Sequence, residues 1–261
     1  MTIYHIQLDE VRSTNSYLKA LITDRPDLPS WTVVSTHNQS QGRGQRGNSW
    51  ESEPGKNITL SILLHPNRYD GFEPFDLNIF VSLGLCSFLD EFIPSQRVKI
   101  KWPNDIYISE HKVAGILIEN EWINADLSSS IVGIGLNINQ KLFVSDAPNP
   151  TSIALETGNT YPLSDMSQRL LLHLQEIYNQ LPSHITELRE NYHSRLFRRD
   201  GMTHVFRDVE GRRFEAEIIG VTPGGQLCLR HVEDLGTYQY AFKEVSFVLW
   251  SSSQTKTSQS F

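Results

Sequence analysis

The chain has 261 residues, 39 % of them hydrophobic, with 23 Lys+Arg against 30 Asp+Glu and a formal net charge of −7. A chain of this length buries roughly 70–75 % of its unfolded surface, as one large domain or a main domain plus a small one, and its apolar fraction excludes a disordered chain. The acidic balance excludes broad binding to nucleic acid or to a membrane surface, so any anion must be held by a local cluster of donors.

The opening MTIYHIQLDEV has neither a basic n-region nor an apolar h-region, and no apolar run approaches the ~18 residues of a membrane span, so a cytoplasmic location is expected. Ser13, Thr14 and Asn15 are N-cap types, and Leu18, Leu21 and Ile22 follow at helical spacing. Short apolar runs predict strands at 32–37, 58–64, 97–101, 106–109, 112–119 and 131–138. A second helix is predicted from about 75 to 93, with Leu77, Val81, Leu85, Phe88 and Phe92 on one stripe. Gly84 falls on that stripe and would let another element pack close. A third helix starts after Ser164 and carries Met166, Leu170, Leu171, Leu174, Ile177 and Leu181, until Pro182 and Ser183 break it before a fourth. Mixed helices and strands, the strands often adjacent, predict the α+β class: a mixed sheet flanked by helices.

The texture changes near Gly201. From there the chain reads as THVF, RRFEAEIIGV, QLCLRH, TYQYAF and VSFVL, short strands separated by turns, which predicts a small SH3-like β-barrel. The expected division is a domain over 1–200, a barrel over 201–250, and a disordered tail over 251–261. Cys86 and Cys228 lie in apolar segments and read as inert buried thiols of a reducing compartment. The nine His are scattered without HxH or HExxH spacing, which argues against zinc; no metal ligands are assigned. The arginines of 195–213 outnumber the acids and read as a solvated face near the joint between domains.

GRGQRG at 42–47 matches the dinucleotide fingerprint letter for letter, but that motif needs a helix to open at its third glycine. Here a strand follows, at ITLSILL. A Walker loop fails on spacing, and a kinase glycine loop lacks its later partners. What remains is three glycines interleaved with Arg43 and Arg46, a pattern whose backbone N–H groups and guanidinium forks can close on an anion. The length of the segment, about 38–57, suggests a loop that orders when its ligand arrives, and the bulky Trp50 at its end suits stacking on a purine. Read alone, the segment also fits an ordinary surface loop.

In Lys101-Trp102-Pro103-Asn104-Asp105, Pro103 forces Trp102 extended and presents Asn104 and Asp105 in a tight turn, where they act either chemically or as turn caps. Lys112 opens the next strand and points into a cleft or into solvent. Gly115 interrupts that strand, which marks close approach of a ligand or of another backbone, and Gly133 and Gly135, followed by Asn137 and Asn139, interrupt another and hint at a ligand lying flat on the sheet.

Taken together, STN (13–15), GRGQRGNSW (42–50), KWPNDIY (101–107) with KVAGILIE (112–119), and GIGLNIN (133–139) resemble biotin–protein ligases, in the family's order. The resemblance covers about residues 5–250. It implies a biotinyl/lipoyl ligase catalytic domain, like that of class II aminoacyl-tRNA synthetases, followed by the barrel. It implies ATP and biotin as substrates, with Mg²⁺, and a biotin carboxyl carrier domain of a carboxylase as partner. Ser13, Thr14, Asn15 and Gln39 would line the ureido end of biotin. Arg43, Gly44 and Gln45 would close over carboxylate and phosphate, with Gly115 beside the biotin. Arg46, Trp50, Asn104 and Asn137 would hold the nucleotide, and Lys112 the acyl-phosphate oxygens. Asp105 would sit beside the reacting centre, near the metal or assisting the incoming lysine. Many relatives carry arginine where this chain has Gln45, which keeps a donor but no charge. The STN block arrives at residue 13, so the monofunctional type is expected, with no specific DNA binding. A strand edge within 1–200 is an expected place for two copies to pair as a homodimer. A lipoate–protein ligase of the same superfamily is the nearest alternative.

Overall fold

Residues 1–66, 71–145 and 149–249 are described by a computed structural model, with the side chain of Arg46 left out of the description. The chain runs through β1 (Tyr4–Val11), α1 (Thr14–Asp24), β2 (Thr32–Gln39), β3 (Ile58–Leu64), α2 (Asp76–Leu89), β4 (Val98–Lys101), β5 (Asp105–Ile108), β6 (His111–Ile123), β7 (Asp126–Leu136), α3 (Ile153–Thr157) and α4 (Leu163–Ser194). Its strands form one mixed sheet of seven in the order β1-β2-β3-β7-β6-β5-β4, parallel at β1–β2 and antiparallel elsewhere. No described helix is long and apolar enough to cross a membrane.

Side chains alternate across a strand, and this sheet uses that alternation to make two unlike faces. Leu60 and Ile62 of β3, Val132, Ile134 and Leu136 of β7, Ala114 and Ile116 of β6, and Ile106 and Ile108 of β5 all point into the main core. That face is covered by α2, which is buried around nearly its whole circumference between the sheet and α4. A Cβ on Gly84 would come within 2.7 Å of Leu174 Cδ2 and 3.2 Å of its Cα, so the helices meet closely where the sequence suggested. On the opposite face α1 covers only one end, where Leu18 packs with Val34, Leu63 and Ile131. The rest of that face is open.

Two elements lie outside the sequence expectations, and one expected break is placed more closely. The strand β1 escapes sequence reading because it is a half-exposed edge strand, paired only with β2 and without clean alternation. The five-residue α3 is likewise too short to show periodicity. The break expected at Pro182–Ser183 is present as a kink that parts α4 into two helical segments at His184 (φ −128°, ψ 24°). Leu181, Leu188 and Tyr192 stay buried on both sides of the kink, so packing against one core keeps the two segments roughly in line.

A second sheet follows: β8 (Thr203–Asp208), β9 (Arg213–Val221), β10 (Leu227–His231), β11 (Thr237–Tyr240) and β12 (Val245–Phe247), in the order β11-β10-β9-β8-β12, each pair antiparallel. It is tied to the first part through Trp102, whose Nε1–H donates to Gly225 O at 2.9 Å and whose ring meets Phe242. The arginines expected on a solvated face are in part committed. Arg195 pairs with Asp90, Arg198 with Glu110 and Arg199 donates to Ile219 O. Cys86 is fully buried, and burial pushes its thiol up to about 12; Cys228 is only half-buried, contrary to expectation, because β10 lies in a small sheet with little cover. The tail 251–261 lies outside the described residues.

Candidate active site

The open face is polar and small-residued where the other is apolar. Thr59 and Ser61, Gly133 and Gly135, Gly115, Leu117 and Glu119, Asp105 and Lys101 alternate with the core residues along β3, β7, β6, β5 and β4. Over this face lies a cavity of about 610 Å³, and its walls include Ser13, Thr14, Asn15, Gln39, Arg43, Gly44, Gln45, Trp50, Asn104, Asp105, Lys112 and Gly115. Phe242, Val245 and Phe247 of the second sheet close one side.

At one end Ser13 caps α1, accepting from Ser16 N at 3.5 Å, and this presents Thr14 and Asn15 to the sheet. Gln39 Oε1 accepts from Thr14 N (2.9 Å) and Thr14 Oγ1 (3.2 Å). Ser61 Oγ–H donates to Asn15 Oδ1 at 2.5 Å and lies 2.7 Å from Thr14 Oγ1. Asn15 Nδ2 donates to Glu119 Oε2 at 2.8 Å. Five buried or half-buried polar side chains, Thr14, Asn15, Gln39, Ser61 and Glu119, are therefore held against one another.

The glycine loop is folded on itself. Trp50 N donates to Gly42 O (2.9 Å) and Gly44 N to Asn48 O (2.7 Å), with a single 3₁₀ turn over Gln45–Gly47. Arg43 reaches across to Ser16 Oγ (3.1 Å) and to Glu119 Oε1 (2.7 Å). Burial works against the charge on Glu119, but hydrogen bonds from Asn15 and Arg43, and the charge of Arg43, win and hold its carboxyl below the usual range.

At the other end Lys112 Nζ pairs with Asp105 Oδ1 at 2.7 Å and sits 5.5 Å above the Trp50 ring. Asn104 is pinned to β6, its Nδ2 donating to Ile116 O (2.7 Å) while its own carbonyl accepts from Ile116 N (2.9 Å). So the turn after Pro103 is locked to the strand that carries Lys112 and Gly115.

The strand glycines make room for side chains, which corrects the expectation of a ligand lying directly on the sheet. A Cβ on Gly135 would lie 2.3 Å from Trp50 Cε2, one on Gly115 3.0 Å from Trp50 Cζ3, and one on Gly133 2.3 Å from Asn15 Oδ1. Trp50 thus lies on the backbone of two adjacent strands, where Gly115 and Gly135 are cross-strand partners. Asn137 is not brought into the main cavity: its Nδ2 donates to Thr151 O (2.9 Å), tying the end of β7 to the segment before α3. It lines a second cavity of about 450 Å³ that shares Trp50 and Lys112 with the first. The side chain of Arg46 lies outside the described residues.

A model of the biotin/lipoate A/B protein ligase family matches residues 8–137, the stretch that holds every wall of the sheet described above except the second sheet's. The chain belongs to that family. It is 29 % identical over 243 residues to the biotin–[acetyl-CoA-carboxylase] ligase of Mycobacterium tuberculosis, across 88 % of this chain and 81 % of the relative. It is 29 % identical over 187 residues to the bifunctional ligase/repressor BirA of Bacillus subtilis, across 70 % of this chain and 55 % of that relative. The chain spans about half the length of several of the curated relatives it matches. Its fold is similar to the biotin protein ligase of Aquifex aeolicus in complex with biotin and ATP, with a TM-score of 0.74 and 25 % identity over 93 % of this chain and 97 % of that one.

Within this member of the family, three groups at the site escaped sequence reading: Lys101 on the cavity wall, Ser61, which holds Asn15, and Glu119, which holds both Asn15 and Arg43. Ser61 and Glu119 sit inside apolar strand runs, and only the pairing of Ser61 with Gly133 and of Leu117 with Gly133 brings them to Asn15.

Proposed function

We propose that the chain is an ATP-dependent ligase that activates biotin as biotinyl-5′-AMP and transfers it to a lysine of a biotin carboxyl carrier domain. The observation that carries this reading is the order of groups along one cavity: a neutral polar cluster at Thr14, Asn15 and Gln39, backed by the buried Ser61, then Arg43 on its glycine loop, then Lys112 with Asp105. A neutral head group with N–H and C=O functions suits the first, and a carboxylate and a phosphate suit the other two. The Mycobacterium relative's name and the Aquifex complex agree with these ligands.

In this reading a biotin carboxylate oxygen forms a bond to the α-phosphorus of ATP as the bond from that phosphorus to the bridging oxygen breaks, and pyrophosphate leaves. Arg43 and Lys112 stabilise the charge gathered on the α-phosphate, where preorganised donors act most strongly. The acceptor amine then attacks the anhydride carbonyl, AMP departs and the amine loses a proton, for which Asp105 is the neighbouring carboxylate. Trp50 and Asn104 border the adenine, Gln45 donates to the adenylate beside Arg43, and Gly44 lets the loop close. Arg46 and Asn137 complete the nucleotide's surroundings. The loop excludes water from the anhydride. Among the described residues no three His, Cys, Asp or Glu cluster as metal ligands. Mg²⁺ would therefore be held chiefly by the phosphates and water, with Asp105 as one carboxylate, a donor set this ion accepts; it would neutralise phosphate charge.

We also read 1–200 as the catalytic domain and 201–250 as an SH3-like barrel that walls the cavity. Biotin-dependent exchange of labelled pyrophosphate into ATP tests the assignment: exchange with lipoate and not with biotin would replace it with lipoate ligation. Slow escape of biotinyl-adenylate from the purified protein is expected despite Gln45; rapid escape would show that Gln45 weakens the hold.

A further inference from the structure

Lys101 ends β4, the edge strand of the open face, and lines the cavity. Its ammonium lies 5.5 Å from the Tyr107 ring centre and 5.0 Å from that of Phe247, and among the described residues it has no hydrogen bond or ion pair. The carboxylate paired with its strand position, Asp105, is committed to Lys112 at 2.7 Å. Arg198 is matched by Glu110. This end of the cavity therefore sets Lys101 and Lys112 against the single carboxylate of Asp105 among the described residues, walled by Val245, Phe247 and Leu249, with Lys243 lining the same cavity. Burial, aided by Lys112 and Arg198, pushes the Lys101 amine below its usual range, while Asp105 pulls it up. Aromatic faces offset only part of what a desolvated cation loses, and an anion would offset the rest.

The place of Lys101 in the sheet says which anion. Across the open face the order runs from Ser61 on β3, through Gly133 and Gly135 on β7 and Gly115 on β6, to Asp105 on β5 and Lys101 on β4. Four strand spacings put β4 on the order of 19 Å from β3. With the neutral head group at the Asn15 end and the reacting centre between Arg43 and Lys112, Lys101 lies beyond the reacting centre. An ammonium there repels an incoming lysine and attracts a polyanion.

We infer that Lys101 binds the β- and γ-phosphates of the nucleotide and the pyrophosphate they become. This rests on the ligase reading above. As the bond between the α-phosphorus and the bridging oxygen breaks, its electron pair stays on that oxygen, and Lys101 neutralises the charge gained by the departing pyrophosphate. Lys101 is thus a residue of adenylation, silent in the transfer to the acceptor.

Calorimetric titration of the full chain with inorganic pyrophosphate tests this. Lys101→Met removes a charge from an apolar wall and is expected to fold, with affinity weakened about tenfold to a hundredfold, the scale of one charge-assisted hydrogen bond. Lys101→Arg is expected to restore most of that affinity. Transfer of biotin from preformed adenylate to a carrier domain should proceed in Lys101→Met at the wild-type rate. Unchanged pyrophosphate affinity in Lys101→Met, no pyrophosphate binding by the wild type, or a transfer step slowed as much as adenylation would each overturn the inference. If wild-type affinity depends on Lys101 but no biotin-dependent exchange occurs, the assignment of biotin fails and the phosphate site stands.

Discussion

Along β7, Val132, Ile134 and Leu136 enter the core under α2, while Gly133 and Gly135 alternate with them on the open side and meet Asn15 and Trp50. The same strand thus serves stability on one face and the site on the other. The covered face is made of interlocking apolar groups whose worth is in area removed from water. The open face holds charges and amides in fixed positions, where a loss shows in chemistry before it shows in folding. Substitutions on the two faces should therefore separate activity from stability.

The largest expected effect is on the open side. Arg43→Ala should slow adenylate formation by about a hundredfold to a thousandfold, the scale of one lost transition-state donor, with little change in melting temperature because its pair with Glu119 is partly exposed. Biotin-dependent pyrophosphate exchange and thermal unfolding measure the two; a large drop in melting temperature would break the division between faces. On the covered side, Leu174→Ala, opposite Gly84, should cost about 2–5 kcal/mol in urea unfolding while the folded fraction keeps its turnover.

Gly135→Val sharpens the contrast, since it adds apolar volume to the open face. The Cβ would drive Trp50 from its place, and the KM for ATP should rise about tenfold, the scale of a misplaced methylene in a pocket, with Trp50 fluorescence altered. A smaller effect belongs to Glu119, whose carboxyl is held below its ordinary value in the folded chain. Its contribution to stability is present above the unfolded value of about 4.3 and is lost as pH falls through the folded one. Glu119→Gln should therefore be less stable than the wild type at neutral pH by at most about 1 kcal/mol, with the gap closing on acidification; a gap that widens in acid would reverse the assignment. The smallest effect is chemical: a thiol reagent should label Cys228 in the native chain and spare Cys86 until unfolding.

How much of this was legible varies by residue. The strands at 32–39 and 58–64 and helix α1 with its Ser13 cap follow from local pattern and cap chemistry alone. Motif residues such as Arg43, Asp105 and Lys112 stand out because glycine, proline and charge mark them in otherwise apolar text. Asn137 stood out equally, and the structure adds that its Nδ2 donates to Thr151 O while it lines a neighbouring cavity with Trp50 and Lys112, a placement that no spacing reveals. Ser61 was invisible inside ITLSILL, since a serine within a buried strand announces no partner until register assigns one.

Local chemistry in the sequence therefore determined the helix starts, most strands, the anion-seeking loop and the family it points to, since each depends on neighbours within a few positions. Tertiary structure alone decided that Trp50 rests on Gly115 and Gly135, that Glu119 holds both Asn15 and Arg43, and that Lys101 faces the rings of Tyr107 and Phe247 with no ion pair among the described residues. Those outcomes depend on pairings between residues tens of positions apart. A shift of one residue in strand register would send Glu119 or Lys101 to the opposite face.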